Sequence, residues 1–142
     1  MIYCTLADIE TPQQDLIELT DDNDLGIIDQ TVIDKAIAAA GELIDGYLRG
    51  RYTLPLNPVP GLLPPLAAVI ALRRLYGRRP RLAVPESLAD EYKNCLKTLD
   101  LISSGRISLG SEAVTGAIAP ESGGVQTSSP DRVFTRDTLR DY

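Results

Sequence analysis

The sequence predicts an all-α fold: a small bundle of three main helices, preceded by short helical turns and followed by an extended C-terminal arm. Three observations carry this. Apolar residues make up 44% of the 142, yet there is one Phe, one Met and no Trp, so the core must be built from Leu, Ile, Ala and Val, a composition that favours helices over a sandwich. Three segments place apolar residues at three- and four-residue steps. After Gly105 the helical stripe stops, and the chain becomes rich in Gly, Ser, Thr and Ala. The division this implies is a helical domain over residues 1–105 and an arm over 106–142.

Thr5-Leu6-Ala7-Asp8 reads as a capping box with Asp in place of Glu, and Thr11-Pro12 as a second helix start with Pro at the first helical position. Both turns should end before Asp21-Asp22-Asn23-Asp24. The clearest helix runs from Asp29 to about Arg51, capped by Asp29 or Thr31. Its stripe is Ile33, Ile37, Ala40, Ile44, Tyr47 and Arg51, with Ala36 and Leu43 beside it. Gly41, Gly46 and Gly50 weaken this helix by up to ~1 kcal/mol each, and their expected use is close approach of another backbone. Leu54-Pro55-Leu56-Asn57-Pro58-Val59-Pro60-Gly61 cannot be helical. Pro64-Pro65 opens the second helix, Leu66 to Tyr76, which is apolar nearly all round and therefore central; Gly77 can end it. The third helix runs from Pro85 or Glu86 to Ser104. Leu88, Tyr92, Leu96, Leu99 and Ile102 share one face, and Gly105 is a stop signal.

The chemistry available is narrow. The chain has no histidine, the commonest general base and metal ligand near neutral pH, which removes Ser-His and Cys-His catalysis and most zinc sites. Cys4 and Cys95 fit no metal or redox spacing and read as buried free thiols in a reducing compartment. Asp21/Asp22 and Asp137/Asp141 are acid pairs, but a Ca²⁺ loop starting at Asp22 would need an acid where Ile33 stands. No phosphate-binding glycine motif sits between a strand and a helix. No catalytic, cofactor or metal residues are therefore assigned, and the expectation is a protein that is not an enzyme. No leader is expected, because the first four residues run straight into acidic and polar ones; no apolar run is long enough to span a bilayer.

Charge is segregated. The net charge is −6, and from Asp8 to Asp34 every charged residue is acidic. Arg73, Arg74, Arg78, Arg79 and Arg81 form the basic cluster. It can meet an acidic protein surface, DNA phosphate, or solvent alone. An acidic chain is a poor wrapper of nucleic acid, whereas segregated charge suits head-to-tail association of copies. The end of the chain, Arg132-Val133-Phe134-Thr135-Arg136-Asp137-Thr138-Leu139, carries the single Phe beyond a stretch whose composition suits a mobile arm. Phe134 either folds back on its own bundle or docks with Val133 on another subunit, Arg132 and Arg136 fixing the register.

Several of these stretches recur together in one family. They are the Met1-Ile2-Tyr3 start, Leu19-Thr20-Asp21, Ala39/Ala40 followed by Ile44–Leu56, Leu75-Tyr76 with Arg78-Arg79, and Arg132–Leu139. From Met1 to Leu139 the chain resembles the Mu-like bacteriophage head–tail connector family, also described as a phage domain of unknown function. The resemblance implies an all-helical adaptor packed as a ring of about twelve copies beneath the portal protein of a tailed phage. It also implies a C-terminal extension, including Leu139, that reaches neighbouring neck or tail-completion subunits. The place implied is the virion neck, and the host cytoplasm during assembly, with passive contact possible to DNA passing through the lumen and none with membrane. The other class open to the sequence is a soluble helical protein-binding module, regulatory or chaperone-like. Within either, Tyr47, Arg51, Tyr52 and Pro55 read as a structural corner. Tyr47 and Leu48 bury against the third helix, Arg51 reaches helix-end carbonyls or the acidic N-terminal segment, and the prolines hold the chain extended toward Pro64.

Overall fold

The computed structural model describes residues 1–110, and these are all helical apart from turns and connections. A 3-10 turn, Leu6–Asp8, precedes four α-helices: α1 Gln13–Thr20, α2 Gln30–Leu48, α3 Leu63–Arg78 and α4 Glu86–Ser103. The all-α bundle is as expected from the sequence. Residues 111–142, the greater part of the arm expected over 106–142, with Arg132, Val133, Phe134, Arg136 and Leu139, lie outside the described residues.

Each start has a local cause. The Asp8 carboxylate accepts from Thr5 N at 2.7 Å and Thr5 Oγ1 at 2.8 Å, closing the expected turn. Pro12 is the cap of α1 rather than its first residue. Of the two candidate caps for α2, Asp29 serves: its carboxylate accepts from Thr31 N at 2.9 Å and Val32 N at 3.3 Å. Helix α2 stops at Leu48, short of the expected Arg51. Helix α3 begins earlier, at Leu63, because Pro64 and Pro65 lie in its first turn, where their missing N–H groups cost nothing. Gly77 does not end α3, which continues through Arg78. Gly105 does end α4, at φ +78 in the left-handed region.

Helix α3 is the centre. It packs against α2, α4, α1 and the 3-10 turn, and Leu63, Leu66, Ala67, Ala68, Ile70, Ala71 and Leu75 are buried. The facing stripe of α2 buries Ile33, Ile37, Ala40 and Ile44 as the periodicity predicts. Each fully buried Leu or Ile among these contributes roughly 1.5–3 kcal/mol relative to exposure, and each Ala less. One glycine of α2 is explained by a close approach: a Cβ on Gly41 would stand 1.7 Å from the Met1 carbonyl oxygen. Gly46 and Gly50 have nothing within 4 Å of the same position, so the expectation of close approach fails there. Beyond Gly105 the chain stays on the body: Ile107 and Leu109 pack against the core. The packed part therefore extends past residue 105.

Candidate interaction surface

The corner after α2 packs into the body. Tyr52 is buried, and its hydroxyl accepts from Leu109 N at 3.1 Å, fastening the chain that follows α4. Leu48 is fully buried and Tyr47 partly so. Arg51 reaches a helix end, that of α4. Its guanidinium lies against Gly105, where a Cβ would come 2.3 Å from Nη1, and a cation suits the negative end of a helix. Pro55 is exposed at the surface of the connection, and the Leu54–Pro55 and Asn57–Pro58 peptides are cis. Beside the corner, Asp45 accepts from the Tyr3 hydroxyl and the Met1 α-amino group. Burial first, then the Asp45 hydrogen bond, pushes the Tyr3 hydroxyl pKa well above its usual value.

The arginine cluster divides. Arg78 donates to Asp22 Oδ2 at 2.6 Å and to the Leu19 carbonyl at 3.3 Å. Arg79 donates to Asp22 Oδ1 at 2.8 Å and to the Asp21 carbonyl at 2.6 Å. These two arginines therefore clamp the end of α1 to the end of α3, and their charge is partly spent within the subunit. Arg73 lies over the Tyr92 ring at 5.9 Å from its centroid. Arg74 and Arg81 are exposed and make no ion pair among the described residues.

The acidic loop is built with equal economy. The Asp21 carboxylate accepts from the backbone of Asn23 at 3.2 Å, Leu25 at 3.1 Å and Gly26 at 2.6 Å. Those bonds, Leu25's first, hold its pKa below the usual carboxylate value. Thr20, a buried polar residue, donates to the Leu16 carbonyl and accepts from Asp29 N, tying the two ends of the loop together. At the tip Leu25 and Ile27 are 65% and 60% exposed on an otherwise acidic surface. Sequence reasoning missed this apolar pair, because Leu25 and Ile27 also look like core residues; it saw the acidic run but not which arginines would answer it.

A second acidic surface has the form of a groove. The 3-10 turn and the start of α1 form one wall, α3 and the first turns of α4 the other. The cavity is about 440 Å³, with Asp8, Glu10, Asp15 and Glu91 at its rim. Nothing in the sequence pattern pointed to it, since it is assembled from three separated segments. Among the described residues there is no group of three or more side chains suited to hold a metal, and no helix is long and apolar enough to cross a membrane.

Two relatives resemble most of this bundle in sequence. Gene product J of Escherichia phage Mu is 33% identical over 108 residues, covering 76% of this chain and 74% of its own. The Mu-like prophage FluMu protein gp36 of Haemophilus influenzae is 30% identical over 115 residues, covering 81% of this chain and 78% of its own. Residues 3–128, which take in every helix described above, match the family described as Bacteriophage Mu, Gp36, and the chain belongs to that phage family.

Proposed function

We propose that this protein is a non-enzymatic structural component of the virion, a head–tail connector. Copies close into a ring under the portal and join the capsid to the tail. Membership of the phage Mu Gp36 family over nearly the whole chain carries this reading, together with the resemblance of the Ile44–Leu56 and Arg132–Leu139 motifs to connector proteins. The surface suits it. A body held by one core presents exposed Arg74, and exposed Arg81 beside an acidic loop tipped with Leu25 and Ile27. Contacts between copies then use arginines that the subunit has not already engaged, against the acidic segment Asp8–Asp34 of the next copy. Portal and tail-completion proteins meet the two faces of the ring, and DNA passes through its lumen.

The test is the composition of purified particles. Quantitative mass spectrometry of density-purified phage should find this polypeptide at about twelve copies per particle, as a closed ring matching the portal requires. Its absence from DNA-filled, tailed particles would overturn the reading.

A further inference from the structure

The groove between the 3-10 turn, α3 and α4 is apolar inside and acidic outside. Ala68, Val69, Leu72 and Leu88 line it, and the carboxylates of Asp8, Glu10, Asp15 and Glu91 stand around them. Among the described residues no Lys or Arg lines it. The nearby hydroxyl of Tyr76 reports the same field: burial and then the charges of Asp15 and Glu18 raise its pKa. An occupant complementary to such a groove is a short apolar segment with a cation at each end. The chain contains one beyond the described residues: Arg132-Val133-Phe134-Thr135-Arg136.

Reach decides between this copy and another. The groove meets α4 at Pro85–Glu91, and the described chain ends at Gly110, just past the other end of α4. From Leu88 in the groove to Ser103 at that other end, α4 rises over fifteen residues, a span of about 23 Å at 1.5 Å per residue. Residues 111–131 supply 21 residues before Arg132. A coil of Gly- and Ser-rich composition and that length has an r.m.s. span of about 25 Å. Tethered binding is strongest when linker and span match.

We propose that Val133 and Phe134 occupy this groove of their own chain in the free subunit, with Arg132 and Arg136 against its rim carboxylates. The contact concerns the subunit before assembly and holds whether or not the subunit enters a ring. A partner that needs either the groove or the segment must first displace the other.

Isotope-filtered NMR on the full chain tests it. Uniformly labelled protein should show NOEs between the Phe134 ring and the methyl groups of Val69, Leu72 and Leu88. In a co-refolded mixture of differently labelled chains the same NOEs should be absent between chains. Their presence there would assign the groove to another copy and overturn the proposal, as would their absence from both samples with the bundle folded. The exposed pair Glu10→Lys and Glu91→Lys cancels the rim's net charge without entering the core. It should weaken these NOEs several-fold, and raised salt should do the same in the wild type. NOEs unchanged in the variant would show that charge does not select the occupant.

Discussion

A methyl group at Gly41 has no room, while one at Gly46 meets nothing. Gly41→Ala should therefore force the N-terminal segment off α2 and cost about 1–3 kcal/mol. Gly46→Ala should stabilise by about 0.5–1 kcal/mol, because it lowers the entropy lost on helix formation without a clash. Urea unfolding of the two variants side by side measures both, and equal effects would contradict the packing. The two glycines read alike in the sequence. They differ only in whether Met1 passes over them, which is a tertiary fact that helical periodicity does not contain. Cys4 is a second residue-scale case. Burial, and then the charge of Asp8, pushes its thiol up to about 11 from 9.0. The folded state holds that proton more firmly than the unfolded chain does. Its contribution is complete below pH 9 and is lost as pH rises toward 11, by about 2–3 kcal/mol at most. Stability measured from pH 8 to 11 should fall, and Cys4→Ala should flatten that fall.

Helices as elements were legible because their signals are local. The stripe from Ile33 to Ile44, the Asp29 cap and the Gly105 stop all act within a turn or two of chain. The misplaced boundaries have local reasons too: prolines belong in a first turn, and Gly77 can remain helical when α3 continues to Arg78. What the sequence did not disclose is which charges meet. Arg78 and Arg79 answer Asp22 across more than fifty residues of chain, a pairing set by how α1 lies on α3. The double variant Arg78→Glu, Arg79→Glu should thus weaken the subunit itself. Each ion pair is partly exposed and modest alone, but losing the carbonyl bonds as well and placing acids beside Asp22 should cost about 1–2 kcal/mol in total. An unchanged melting temperature would mean the clamp does not hold in solution.

For the whole molecule, the useful distinction is between charge that holds the subunit and charge left over. Arg74→Glu with Arg81→Glu should leave the melting temperature within the range of ordinary surface changes, about 0.5 kcal/mol, and should impair assembly. Wild-type assembly should weaken with salt, since surface charge reaches only about 10 Å at 0.1 M. Sedimentation and electron microscopy of the variant check this, and normal rings would remove both arginines from the contact. The candidate surface was half visible in the sequence. The segregation of acid and base along the chain pointed to it, whereas the groove exists only once the 3-10 turn, α1, α3 and α4 are brought together, and the exposure of Leu25 and Ile27 follows from the path of their own loop.

The loop between α1 and α2 owes its shape to very few groups. Asp21 gathers three backbone N–H groups, and Thr20 joins the loop's two ends. The left-handed turn at Gly26 completes the path. None of this uses the side chains of Asn23, Leu25 or Ile27. Those positions are therefore free to drift: a library randomised there should yield mostly folded bundles, each showing a different face. Under the proposed assembly, a change of partner needs only a few residues at a loop tip, with the bundle that carries them left as it was.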